Sequence, residues 1–350
     1  MTLWIWIYAA TVSVLSVVVI AHCIMRRAAL LRDGCHRRLA RLWTLTGCDP
    51  LGEPGVSVLM DWGGDVRSLE SCLTMDYLRY EVVIVGDVEH SRSLRGVLAR
   101  YSMIEVGSPV VEERLMRSPR RLYRSRRRSC RRLVVVDSPA ATEAERMDCA
   151  LSVRGHNRVV VLGRGQRVMV DTLRVLVWRV SDHPSAEIVT APLMENAGVA
   201  GATREIWSFM GSHEERIAIM DGDAVVEAGG FTPTQAPKHT TAAMITRLQR
   251  NGCRTAHLAV AVGYTSSEHK ADIGGVDIAL WVVWIAGIAG VVATEGTLRV
   301  MWLLCVGLVV MLQVVVAIGA RAYRRTAESL RPWSENLQAA LCIPLRIFLR

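Results

Sequence analysis

Residues 56–87 read VSVLMDWGGDVRSLESCLTMDYLRYEVVIVGD, and this stretch decides the fold class. The runs VSVLM at 56–60 and EVVIV at 81–85 are short, aliphatic and rich in β-branched residues, the composition of buried strands. A helical stretch around 66–74 separates them. Two further strands follow, LVVVD at 133–137 and RVVVL at 158–162, with a helix near 142–153 between them. Strands alternating with helices predict an α/β domain built on a mostly parallel sheet. Ligands of such sheets sit beyond the carboxyl ends of the strands. That selects residues 61–65, 86–89, 137–141 and 163–165. The last of these breaks the usual chemistry. VVVLGRG, residues 159–165, ends on a guanidinium where strand ends of this kind often carry carboxylates.

The chain has 350 residues, 51% of them hydrophobic, a formal charge of +9 and a pI near 9.4. Three apolar runs, near 3–25, 274–293 and 300–320, each approach the roughly 20 residues that cross a hydrocarbon core. The first is too long for a signal-peptide core and no small-residue cleavage site follows it. It reads as a retained anchor. Arg26, Arg27, Arg32, Arg37, Arg38 and Arg41 follow it, and Arg321, Arg324 and Arg325 follow the third. By the positive-inside rule the segment between the first two spans is cytoplasmic. The expected organisation is a transmembrane helix at 1–25, a basic juxtamembrane linker at 26–54 and a cytoplasmic domain at 55–273. Two transmembrane helices at 274–320 and an amphipathic cytoplasmic tail at 321–350 complete it. The expected location is the plasma (inner) membrane, multi-pass.

Lys238 and Lys270 are the only lysines, so nearly all positive charge is arginine. The nine cysteines are scattered without a C-x-x-C pair, which predicts reduced structural thiols and no zinc site.

The segment at 56–87 resembles the opening of family 2 glycosyltransferases with a GT-A fold. VVEAGGF at 225–231 resembles that family's helix before a Gly-Gly-Phe turn, and RLQRNGCRTAHLAVAVGYT at 247–265 resembles the Arg-Leu helix and strand beyond it. The likeness covers about 55–265 and extends to the anchor layout of membrane-bound polysaccharide and glycolipid synthases. It implies a GT-A-like α/β domain and a nucleotide-sugar donor, a UDP-sugar by the resemblance. Residue by residue, the family's chemistry is thin. Asp65 matches the acid closing the first loop. Of the paired acids that hold the donor nucleoside, the first position is Gly86 and Asp87 remains. The basic residue usual before the third helix is Thr142. The metal-binding Asp-x-Asp falls on Gly163-Arg164-Gly165, and the acids that supply the base fall on Thr240 and Thr241. No Gln-x-x-Arg-Trp precedes the second apolar run.

A hard divalent cation needs oxygen ligands, and Gly-Arg-Gly side chains offer none. Metal-assisted departure of a nucleoside diphosphate then lacks its Lewis acid. A threonine hydroxyl is no base near pH 7. No cofactor is expected, and Mg²⁺ or Mn²⁺ only if Asp221-Gly222-Asp223 is a relocated metal site. The other reading of those acids is a helix cap.

The block from Arg117 to Arg132 is the densest charge run. Little aromatic interleaving and no nucleic-acid fold accompany it, so no nucleic-acid partner is expected. Arg120, Arg121, Arg124, Arg126, Arg127, Arg128, Arg131 and Arg132 are candidates for anionic headgroups, against a solvated insert between strands. Gln313, within the third run, is expected to bond a neighbouring helix.

The sequence therefore predicts a membrane glycosyltransferase-like protein that has lost catalysis. It would serve as partner or scaffold for an active transferase, or another envelope-biosynthesis protein, making polysaccharide or glycolipid. Asp65, Asp87 and Arg164 are its nucleotide-binding candidates. One alternative is an active, metal-independent transferase using Asp87, Arg164 and Asp221 or Asp223. The other is an adaptor that binds lipid headgroups.

Overall fold

The computed structural model describes residues 2–43, 53–107, 119–140, 142–195, 216–232, 240–265 and 285–325. Its centre is a mixed sheet. Four strands lie parallel in the order β5 (Leu133–Asp137), β2 (Tyr80–Gly86), β1 (Val56–Asp61) and β6 (Arg158–Leu162). Antiparallel pairing takes over on both flanks. On one side β4 (Arg121–Ser125) joins β5, and β3 (Met103–Val106) forms the edge. On the other, β9 (Arg216–Asp221) joins β6, and β8 (Ile188–Glu195) joins β9. β10 (Thr255–His257) and β11 (Gly263–Thr265) run parallel to β8, and β7 (Gln166–Val168) pairs antiparallel with β11. The expectation of a mostly parallel sheet thus holds for the centre alone. The flanking strands β3, β4, β7 and β9 each run against a neighbour, so the ladders at both sides of the parallel centre are antiparallel.

Local chemistry explains the helices that position the strand ends. α2 (Val66–Leu73) starts where the Asp65 carboxylate accepts the Arg67 amide at 2.9 Å. α3 (Arg92–Arg100) starts at Ser91, whose hydroxyl accepts Leu94 N–H. α4 (Glu143–Ser152) starts at Thr142, which accepts Glu145 N–H at 3.2 Å. These side chains satisfy amides that a helix start leaves unpaired. α5 (Thr172–Asp182) buries Leu173, Val175, Leu176 and Val177. One face of the sheet packs Val58, Met60, Val82 and Ile84 with Leu69 of α2 and Leu94 of α3. The other packs Leu59, Val83 and Val161 with Met147 and Leu151 of α4. Alternate strand residues thus serve two cores.

The transmembrane helices expected at 1–25 and 274–320 are not borne out. Among the described residues no helix is long and apolar enough to cross a membrane. The N-terminal run belongs to one continuous helix, α1 (Thr2–Trp43), that continues past Met25 into the arginine cluster. The second run is helical at 285–293 among the described residues, about 14 Å of helix against a hydrocarbon core of about 30 Å. The third lies in the helix Thr297–Arg325. Some apolar side chains on these helices pack on one another, while others, such as Leu3, Val14, Leu304 and Met311, stay exposed. Tyr8 and Val12 bury against Trp302 and Val309, with the Tyr8 and Trp302 rings 4.6 Å apart. α1 also reaches the sheet domain, where the buried Asp33 carboxylate accepts Ala259 N–H. The tail at 326–350 and the side chain of Gln313 fall outside the described residues.

Two segments far apart in the chain meet at the Gly-Gly-Phe turn. Gly229 and Gly230 take φ of 85° and 72°, a region that favours glycine. Buried Asp148 of α4 accepts Phe231 N–H at 2.6 Å and Thr232 N–H at 3.0 Å, and Arg247 donates to the Gly230 carbonyl. Asp148→Ala leaves the buried Phe231 amide without its acceptor and is expected to cost about 2–4 kcal/mol in chemical denaturation. A cost below about 0.5 kcal/mol would show that the turn holds without it.

Candidate functional site

The carboxyl ends of β1, β2, β5 and β6 place Asp61, Gly86, Asp137 and Leu162 along one edge of the sheet. Asp61 is the centre of the site, and its side chain is only 2% exposed. A carboxylate so buried requires compensating charge. Arg146 of α4 supplies a two-pronged contact, Nε to Oδ1 at 2.6 Å and Nη2 to Oδ2 at 3.0 Å. Arg164 supplies a second cation, with Nε 2.9 Å and Nη2 2.7 Å from Oδ2. The Arg146 side chain is 13% exposed and that of Arg164 is 56% exposed. One guanidinium is therefore structural, and the other faces outward.

The Gly-Arg-Gly turn is shaped for this contact. Gln166 N–H donates to the Gly163 carbonyl at 3.2 Å, and its side-chain oxygen accepts Gly163 N–H at 2.9 Å. Gly165 takes a φ of 72°, which favours glycine in that place. Across the turn, a Cβ on Gly63 would lie 3.1 Å from Arg164 Cγ. The glycines let the arginine stem cross the β1 loop.

Asp65 and Arg167 form the next contact, at 3.2 Å. Burial pushes the Asp65 carboxyl upward, but hydrogen bonds from Ser68 and Arg167 outweigh it and hold the group below its usual range. Asp65 is thus both helix cap and ion-pair partner. Asp87, one strand over, accepts Glu89 N–H at 3.0 Å, His90 N–H at 3.1 Å and pairs with His90 Nδ1 at 2.8 Å. Its carboxylate organises its own loop. A Cβ at Gly86 would lie 3.1 Å from both Trp62 and Leu94, so a larger side chain there would crowd them. Asp137 is buried and accepts Val88 N–H at 2.9 Å, tying the ends of β5 and β2.

Asp221 and Asp223 are not part of this site. Asp221 pairs in register with Arg158, the first residue of β6, so it lies at the opposite end of the sheet. It caps the helix Gly222–Glu227 by accepting Asp223 N–H and Ala224 N–H, and it pairs with Arg158 at 3.4 Å. Asp223 pairs with Arg154 at 2.8 Å. Thr240 and Thr241 open the helix Thr240–Arg250, and the Thr241 side chain is half-buried.

The residues at the strand ends do not fit a divalent cation. Gly163 and Gly165 offer no side-chain oxygen, and both oxygens of Asp61 are taken by guanidinium groups. A cation there would have to displace Arg164 and approach Arg146. Among the described residues no cluster of three or more His, Cys, Asp or Glu side chains is arranged to hold a metal. The arrangement suits an anion instead. Arg164 leaves Nη1 without a partner among the described residues, and guanidinium forks match phosphate oxygens.

Sequence reasoning singled out Arg164 and missed its partners. Asp61 closes an otherwise aliphatic strand, which was the available signal. Arg146 lies one turn into α4 beyond Thr142, the position where the resemblance expects a cation. The eight headgroup candidates divide. Arg120 pairs with Glu89 at 2.6 Å, Arg127 bonds Ser102, and Arg132 bonds the Leu78 carbonyl and covers Tyr80. A hydrogen bond to Tyr123 raises the pKa of Arg121. Arg124, Arg126, Arg128 and Arg131 are exposed.

The two guanidinium groups on Asp61 are expected to differ in their effect on stability. Arg146→Ala leaves the buried carboxylate with the exposed Arg164 alone and should cost about 3–5 kcal/mol. Arg164→Ala removes a largely exposed partner and should cost less than about 1 kcal/mol. Urea denaturation of both variants checks this, and equal losses would contradict the assignment of Arg146 as the structural partner.

No protein-family model and no curated protein matches the chain. Among solved structures it is similar to the mannosyltransferase PcManGT from Pyrobaculum calidifontis in complex with GDP-Man and Mn²⁺. That likeness has 15% identity and a TM-score of 0.47, and covers 94% of each chain. It is also similar to S. aureus TarS 1-349, at 10% identity and a TM-score of 0.43, covering 84% of this chain and 91% of that one. The same TarS fragment in complex with UDP-GlcNAc gives 9% identity and a TM-score of 0.42, over 84% and 92%.

Proposed function

We propose that this chain is a glycosyltransferase-like protein of the family 2 type that binds the diphosphate of a nucleotide-sugar through guanidinium groups and does not itself transfer the sugar. In this reading it is the partner of an active transferase in the synthesis of envelope polysaccharide or glycolipid. The observation that carries the reading is the Arg164–Asp61 pair at the end of β6. The resemblance puts the metal-binding acids at that strand end. A cation fixed on a buried carboxylate there favours phosphate and opposes a metal. Thr240 and Thr241 supply no base for an acceptor alcohol. Asp221 and Asp223 sit at the other end of the sheet, which removes two of the residues on which an active enzyme would draw.

Isothermal calorimetry with UDP, in Mn²⁺ and in EDTA, tests the proposal. UDP is expected to bind with the same affinity in both. Arg164→Ala should weaken it roughly 10- to 100-fold, the loss typical of charge-assisted hydrogen bonds. UDP binding that survives Arg164→Ala unchanged, or Mn²⁺-dependent turnover of a UDP-sugar, would overturn the reading.

A further inference from the structure

The end of the sheet opposite Asp61 carries a charged feature that the nucleotide site does not use. β4 runs antiparallel to β5, so Arg124 lies beside Val134 near the start of β5. The chain then passes Arg126 and a 3-10 turn at Arg128–Cys130 before Arg131 leads back towards β5. The side chains of Arg124, Arg126, Arg128 and Arg131 are exposed, and no described residue pairs with their guanidinium groups. Of the nearby carboxylates, Glu70 is held by Arg100 and Asp76 by Arg174, while Glu105 of β3 is the register partner of Tyr123, one residue from Arg124 along β4. Four cations within one short turn repel one another unless an external anion compensates them.

Apolar surface accompanies the charge. Leu78 is 55% exposed and Ile104 45% exposed. Ile104 is the register partner of Arg124, and the Leu78 carbonyl accepts Arg132 Nη2 at 3.1 Å. Both therefore border the arginine turn. Aromatic faces are closed. Tyr80 lies under Arg132 at 4.6 Å, Tyr101 under Arg100 at 5.7 Å, and Tyr123 packs against the core. Stacking of nucleic-acid bases needs an open ring, which this surface does not present.

We propose that this pole of the domain docks on an anionic lipid surface, with the four arginines on phosphate headgroups and Leu78 and Ile104 in the interfacial layer. Guanidinium groups bond phosphate oxygens in pairs. Basic residues near an anionic bilayer each contribute roughly a fivefold gain in partitioning. Exposed aliphatic side chains between them add burial at the headgroup boundary. Docking in this way leaves the carboxyl ends of the strands, and Arg164, turned away from the lipid.

Sedimentation of the full chain with phosphatidylcholine vesicles, with and without phosphatidylglycerol, tests the proposal at increasing salt. The chain is expected to prefer the phosphatidylglycerol vesicles and to lose that preference as salt rises. A variant carrying R124Q, R126Q, R128Q and R131Q should partition roughly 10²- to 10³-fold less onto them. Leu78→Ser with Ile104→Ser should weaken partitioning while its salt dependence persists. The apolar side chains of α1 and of the helix Thr297–Arg325 have no preference between the two lipids. Equal binding to both vesicles, or full anionic preference in the arginine variant, overturns the proposal. So does tighter binding to a single-stranded oligonucleotide, or displacement by inorganic phosphate at constant ionic strength. Should the fourfold variant fail to fold, the single substitutions R126Q and R131Q decide, each expected to lower partitioning onto the anionic vesicles about fivefold, and unchanged partitioning of both overturning the proposal.

Discussion

The carboxyl end of the sheet depends on a buried carboxylate. Asp61 closes the central strand almost out of contact with water, and an isolated charge in that place would be prohibitive. Arg146 and Arg164 together remove the cost, and in doing so they join three elements: β1, α4 and the turn after β6. Most other features of the site follow from this arrangement. Gly63 and Gly165 exist in the shapes that let the Arg164 stem cross the loop. Asp65 is drawn towards Arg167 on the next strand. The charge of the strand end is fixed as cationic outward and anionic inward.

Much of the α/β core was legible in the sequence. The strands expected at 56–60, 81–85, 133–137 and 158–162 lie within a residue or so of those observed, and the helix expected around 66–74 is observed at Val66–Leu73. Dense β-branched runs are local signals, and local signals survive without a structure. What could not be read was long-range. Asp61 is 85 residues from Arg146 and 103 from Arg164, and no spacing rule connects them. The antiparallel flanks depend on the return of β8 and β9, which periodicity does not specify. Hydropathy also did not reveal that the first apolar run continues as one helix through the arginine cluster to Trp43.

The two ends of the sheet share a chemistry and differ in what neutralises it. At the carboxyl end, guanidinium charge is balanced from within by Asp61 and Asp65, leaving one outward-facing group on a rigid turn. Such a group is positioned to recognise a small anion. At the amino end, around the turn after β4, four exposed guanidinium groups have no partner among the described residues. That pattern suits an extended, fluid array of charges. The acids at Asp221 and Asp223 share the amino end but are consumed by Arg158 and Arg154.

The central claim is that Asp61 is already neutralised by arginine, so the strand ends attract phosphate and not a divalent ion. Electron paramagnetic resonance of Mn²⁺ titrated into the purified chain tests it most directly. The account predicts that the free-ion signal tracks total Mn²⁺ throughout the titration. Sequestration of one Mn²⁺ per chain, abolished by Asp61→Asn, would contradict it.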